Sequence, residues 1–215
     1  MTKSQLLALF VSLFVCLSTL HSKTVLFLGD SLTAGDGLDQ KYAFPALVGE
    51  SIENLTTINQ GRSGWATSSY LRRWDEVAAE LPEQVGIVFI QLGANDLRID
   101  GHSVHTVMQC RKNMEEILRR IENRYPSVEI VLMSATKLDP STMTEKIRSV
   151  HFGKHSNKYI SDIGEEYRSL AKARGYGFVD LHNQISMKST IDGAHLNKGA
   201  HRQVAEILVD YLKDL

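Results

Sequence analysis

The stretch Thr24-Val25-Leu26-Phe27-Leu28-Gly29-Asp30-Ser31-Leu32-Thr33-Ala34-Gly35 joins two kinds of structure in one short segment. Its opening run of apolar, β-favouring side chains is the pattern of a strand covered on both faces, as the strands of parallel sheets are. Gly29-Asp30 is turn chemistry, and the small residues Thr33, Ala34 and Gly35 let a short helical turn begin at Ser31. A hydroxyl placed there sits at the carboxyl end of a strand, the edge where open parallel sheets bind ligands. Ser31 alone also fits an ordinary N-cap, so its company decides.

Working outward, the pattern recurs. Apolar runs at 56–59, 87–91, 128–133 and 178–181 are each followed by turn chemistry, with amphipathic patterns between them. Phe44, Leu47, Val48 and Ile52 mark one helix; Tyr70, Leu71, Trp74, Val77 and Ala78 mark the next, stopped near Pro82. A longer helix is predicted over 103–124, before Pro126. Ile160, Ile163, Tyr167 and Leu170 mark another, with Gly175 as terminator, and Val204, Ile207, Leu208 and Tyr211 the last. Such alternation, joined by right-handed crossovers, predicts an α/β fold: a three-layer α/β/α sandwich, flavodoxin-like, on a five-stranded parallel sheet. Residues 134–159 carry no regular pattern, and predict either a lid or substrate wall, or a solvated crossover with a short helix around 142–148.

The 215 residues, 43% hydrophobic and 23% charged, suffice for one well-filled domain. A net charge of −1 without a basic, aromatic-interleaved cluster argues against nucleic acid as a partner. After Lys3, an uncharged stretch runs from Ser4 to Leu20, long enough for a signal-peptide core and short for a membrane span. Residues 1–22 are therefore expected to be a signal peptide, cleaved between Ser18 and Lys23, and 23–215 the exported domain, periplasmic or extracellular. An uncleaved anchor or lipidation at Cys16 is the alternative. Cys110 falls on the apolar stripe of a predicted helix, so its thiol is expected buried and not nucleophilic.

Three further blocks accompany Ser31: Asn59-Gln60-Gly61-Arg62-Ser63-Gly64, Gly93-Ala94-Asn95-Asp96, and Asp192-Gly193-Ala194-His195. A serine nucleophile needs a base, the base an orienting carboxylate, and the developing oxyanion needs N–H donors. Ser31, His195 and Asp192 can fill the first three roles; the backbone N–H groups of Ser31 and Gly61 and the Asn95 amide can fill the last. Asp192 precedes His195 by three residues, which lets one turn bring the carboxylate to imidazole Nδ1–H while Nε2 faces Ser31. Asp30 is expected to brace its loop and, with Arg62 and Trp65, is a candidate at the substrate-binding surface. His201 reads as a packed or exposed helical residue, and His102 with His105 lacks the companions of a metal set. The chemistry calls for no metal or cofactor.

These blocks resemble those of the SGNH hydrolases, or GDSL esterase/lipase family, over the chain from about Lys23 onward. The resemblance implies Ser31 as nucleophile, His195 as general base, Asp192 as its orienting acid, and an oxyanion hole of Ser31, Gly61 and Asn95. Arg62 departs from the smaller or apolar residue common at its position. The implied activity is ester hydrolysis through an acyl-serine, with a small-molecule, carbohydrate or lipid ester as substrate and no protein partner required. Export, with Trp65 and Arg62, leads toward O-acetylated carbohydrate; a thioesterase or lysophospholipase acting on longer chains is the alternative. A non-catalytic binding module on the same fold is the reading from another class.

Overall fold

The computed structural model describes residues 23–215, so the expected signal segment and Cys16 lie outside the described residues. Five strands form one sheet: β1 (Lys23–Gly29), β2 (Leu55–Gly61), β3 (Ile87–Gln91), β4 (Glu129–Met133) and β5 (Gly177–Val179). The helices are α1 (Ser31–Ala34), α2 (Phe44–Ser51), α3 (Thr67–Arg72), α4 (Trp74–Glu80), α5 (Ala94–Asp100), α6 (Val104–Arg124), α7 (Glu145–Ser149), α8 (Ser156–Arg174), α9 (Leu181–Gln184) and α10 (Lys198–Lys213). The strand order is β2-β1-β3-β4-β5 with every pairing parallel, the doubly wound arrangement expected from the alternation.

Successive strand side chains point to opposite faces, so the apolar run of β1 feeds two cores. Leu26 and Leu28 join Tyr70, Met114 and Ile163 under α3, α6 and α8. Val25 and Phe27 join Phe44, Val48, Val204 and Leu208 under α2 and α10. Helix ends follow their chemistry. The Ser103 hydroxyl accepts the Thr106 N–H at 3.1 Å to open α6, and Gly175 closes α8 in the left-handed region at φ 72°.

Two local predictions change. The single helix marked by Tyr70 to Ala78 is two, because Arg73 leaves helical geometry (φ −114°, ψ 27°) and lays its guanidinium over the Trp65 ring, 4.6 Å from the centroid. The last strand ends at Val179, because Asp180 caps α9 by accepting the Asn183 N–H at 3.2 Å.

Polar ties lock the carboxyl edge of the sheet. The Tyr70 hydroxyl lies 2.9 Å from the Gly29 carbonyl and 2.8 Å from that of Gln60, joining the ends of β1 and β2. Asp96, buried at the start of α5, accepts both the N–H (3.0 Å) and the hydroxyl of Thr67 at the start of α3.

On the opposite side His201 is 1% exposed, and its Nδ1 accepts the Phe44 N–H at 3.2 Å at the start of α2. Burial pushes this imidazole down to about 4 from its ordinary 6.5. The folded state thus binds its proton less readily than the unfolded state, so this contribution is complete above pH 6.5 and lost as pH falls toward 4. Over that window the wild type is expected to lose about 3 kcal/mol relative to His201→Asn. Urea midpoints of both proteins at pH 7 and 4.5 check this; a constant gap between them contradicts it.

Candidate active site

Each of the sheet's central strands delivers one part of a cleft at its carboxyl end. From β1 the chain turns through Asp30, whose carboxylate accepts the Leu32 N–H at 3.0 Å and holds α1 closed. Ser31 is the first residue of α1, so its own N–H has no intrahelical acceptor. From β3, Gly93 takes φ 118° and lets α5 begin at once, which swings Asn95 into the cleft.

The remaining part comes from the loop before α10. Thr190 and Leu196 bridge across it, and the Asp192 carboxylate accepts the N–H groups of Ala194 (3.0 Å) and His195 (2.8 Å) with one oxygen. Its other oxygen lies 2.7 Å from His195 Nδ1, and His195 Nε2 lies 3.1 Å from Ser31 Oγ. A carboxylate at Nδ1 keeps the ring proton there and leaves Nε2 as an acceptor for the serine hydroxyl. Burial works to raise the Asp192 carboxyl, but the His195 backbone and ring bonds and the Ala194 N–H outweigh it and hold it below the ordinary carboxylate range. Asp30 goes the other way. Burial raises it to about 6, and the Leu32 N–H and the field of His195 only partly offset this.

One of the residues expected to donate to an oxyanion, Gly61, is placed away from the cleft. Gly61 N–H is committed to Asn59 Oδ1 at 2.9 Å, and Gly61 does not line the cleft. Its glycine character serves packing, since a Cβ there would meet Ala34 N at 2.2 Å. The glycine that reaches the cavity is Gly64, at φ 75°, and among the described residues its N–H has no hydrogen-bond acceptor. Asn95 Nδ2 donates to Asp30 Oδ2 and to the Trp65 carbonyl, both at 3.2 Å, long contacts of the kind that shorten or share when a ligand arrives.

Arg62 and Trp65 lie outside the cleft. Arg62 pairs with Glu80 and Gln60, while Trp65 packs edge-on against Tyr70 at 5.2 Å and carries the Arg73 guanidinium. His102 Nε2 bonds Ser156 Oγ at 2.7 Å and His105 is exposed. Cys110 is fully buried, and burial pushes its thiol far up, as expected of a core residue.

Residues 134–159 form one wall of a cavity of about 330 Å³ through Leu138, Ile147, Val150 and Phe152. The wall is stitched to the histidine loop: Asp139 N–H donates to the Gly193 carbonyl at 2.8 Å and Thr144 N–H to that of Asp192 at 3.0 Å. Gly193 must be glycine there, because its φ is 91° and a Cβ would lie 2.6 Å from Met143 Cα. Asn157 also clamps both backbone groups of Leu138, at 2.8 and 2.9 Å. Four apolar residues thus line the cavity that Ser31 also lines, from a segment whose sequence carried no regular pattern.

Comparison with known proteins agrees with this architecture. The fold is shared with the aryl esterase of M. smegmatis (20% identical, TM-score 0.74, covering 90% of this chain and 99% of that one). It is shared equally with a carbohydrate acetylesterase from Sinorhizobium meliloti (20%, TM-score 0.74, 89% and 99%). A member of the lipolytic G-D-S-L family from Veillonella parvula is also similar (14%, TM-score 0.70, 90% and 100%). An uncharacterized protein of Mycoplasma pneumoniae is 29% identical over 169 residues, 75% of this chain, which spans only 18% of that protein's length. The model of the GDSL-like lipase/acylhydrolase family matches residues 27–203, a span that contains Ser31, Asn95, Asp192 and His195. On that match the chain belongs to the GDSL-like lipase/acylhydrolase family.

Proposed function

We propose that this chain is a serine ester hydrolase that works through an acyl-enzyme. The observation that carries the reading is the unbroken chain from Asp192 through His195 to Ser31, with contacts of 2.7 and 3.1 Å, whose last two members line the cavity. His195 Nε2 takes the Ser31 proton as Oγ attacks the ester carbonyl, and the imidazolium passes it to the leaving alkoxide. Water, deprotonated by the same nitrogen, then attacks the acyl-serine, and the imidazolium returns that proton to Ser31 Oγ as the bond to the acyl group breaks and the acid leaves. The Ser31 N–H, the Gly64 N–H and the Asn95 amide receive the oxyanion in both steps. A donor of this kind is worth about 3 kcal/mol in the transition state. Asn95→Ala is accordingly expected to lower kcat by about 10²- to 10³-fold with KM little changed, read from steady-state hydrolysis of a p-nitrophenyl ester.

The apolar wall of Leu138, Ile147, Val150 and Phe152 supports a substrate with an apolar acyl or aryl part larger than acetyl. The residues that led toward a sugar, Trp65 and Arg62, are held elsewhere, so O-acetylated carbohydrate becomes the second reading, supported by the shared fold of the S. meliloti acetylesterase. A p-nitrophenyl ester series from acetate to octanoate, run beside acetylated sugars, tests the choice. A maximum at butyrate to hexanoate supports the first reading. A sharp acetyl preference with sugar deacetylation replaces it with the second, and no hydrolysis of any ester overturns both.

A further inference from the structure

We infer that Arg98 is a positioning residue that sets and polarises the oxyanion donors, a role that rests on the acyl-enzyme reading above. Arg98 lies one helical turn after Asn95 on α5 and lines the cavity. Its Nε donates to Asn95 Oδ1 at 3.3 Å, and its Nη2 donates to the Gly64 carbonyl at 2.7 Å. One side chain therefore grips both of the donor-bearing residues that arrive from separate strands, Gly64 after β2 and Asn95 after β3.

The chemistry of the guanidinium gives each grip a consequence. Arginine has donors and no acceptor, so the Asn95 oxygen must face it, which turns Nδ2 toward Asp30, the Trp65 carbonyl and the cavity. Asp30 and the Trp65 carbonyl, both acceptors, hold the same orientation from the other side. A cation at the amide oxygen also draws electron density from the amide nitrogen, and so strengthens Nδ2–H as a donor to a developing anion. At Gly64, which lines the cavity in the left-handed region, the bond from Arg98 fixes the carbonyl and so limits the freedom of the residue that carries the N–H.

Among the described residues the guanidinium makes no direct ion pair, although Asp36 lines the same cavity; the acceptors bonded to Arg98 are both neutral carbonyl oxygens. Carboxylates around the cleft are bonded to other groups: Asp30 to Leu32 and Asn95, Asp96 to Thr67, and Asp36 to the Ser63 hydroxyl. A half-buried cation left unpaired at the wall of a cleft acts on whatever negative charge forms there, and the reaction forms it on the carbonyl oxygen.

The test compares Arg98→Met and Arg98→Lys with the wild type, using p-nitrophenyl butyrate and an alkyl trifluoromethyl ketone that forms the tetrahedral oxyanion on Ser31. Arg98→Met is expected to lower kcat by about 10- to 100-fold with KM within threefold of wild type. The inhibition constant of the ketone is expected to rise by the same factor as kcat/KM falls. Arg98→Lys, which keeps the charge but not the two-armed reach, is expected to fall between the two. If kcat stays within threefold in both variants, or if the loss lies in KM alone while ketone affinity is unchanged, the inference is overturned. Should Arg98→Met not fold, Arg98→Lys with the same two readouts decides. Fluorophosphonate labelling of wild-type Ser31 separates the failures: without labelling it is the acyl-enzyme reading that fails, and with labelling a normal Arg98→Met condemns only the role of Arg98.

Discussion

Ser31→Ala is expected to lower the turnover of a p-nitrophenyl ester by about 10⁴-fold or more while leaving the fold intact. The size follows from what the substitution removes. Without Oγ no acyl-enzyme can form, and the oxyanion donors and bound substrate alone sustain only a small residual rate. The stability side is equally specific. Ser31 Oγ is partnered with His195 Nε2, and both groups line the cavity, so truncation leaves no buried polar atom stranded. The thermal midpoint should therefore stay near that of the wild type, and a collapse of activity with a preserved midpoint isolates chemistry from folding. Equal rates in the two proteins would show that the hydroxyl takes no part, and would leave a binding module on a hydrolase fold.

The parts of this site that sequence made legible are those set by short covalent distances. Asp192 and His195 are three residues apart, and one turn around Gly193 suffices to join them, whatever the rest of the chain does. Ser31 and Asn95 follow strands whose apolar runs announce themselves, so their place at the carboxyl edge follows from the alternation alone. The parts that stayed hidden depend on contacts made across the fold. Gly61 and Gly64 stand in one block, and nothing local tells which one Ala34 crowds and which one lines the cavity. Nothing local shows that Trp65 and Arg62 are already engaged, because their partners, Arg73 at the break between α3 and α4 and Glu80 at the end of α4, meet them only in the folded chain. Residues 134–159 have no periodicity because their order comes from bonds to the histidine loop, at Asp139 and Thr144, not from a repeating pattern. Arg98, at the i+3 position from Asn95, was the one missed residue with a local signal.

Asp192→Asn is expected to cost about 10⁴-fold in kcat, although it replaces the side chain with one of nearly the same shape. The reason lies in how the loop uses the two oxygens. One accepts the backbone N–H groups of Ala194 and His195, so an asparagine keeps those bonds only by placing its own oxygen there. Its amide nitrogen then faces His195 Nδ1, where the wild type has a carboxylate oxygen at 2.7 Å. Two donors cannot bond, so the imidazole gives up the Nδ1 proton and carries it on Nε2. That proton points at Ser31 Oγ, and the nitrogen that should accept now donates. The loop survives because its backbone bonds survive, so the thermal midpoint should fall far less than in Asp192→Ala, which loses them. Rate and stability thus part company in a way that a purely structural role for Asp192 does not allow. Steady-state kinetics and thermal unfolding of both variants measure the separation. A kcat for Asp192→Asn within tenfold of wild type would mean that the carboxylate does not set the tautomer, and the assignment of His195 as general base would lose its support.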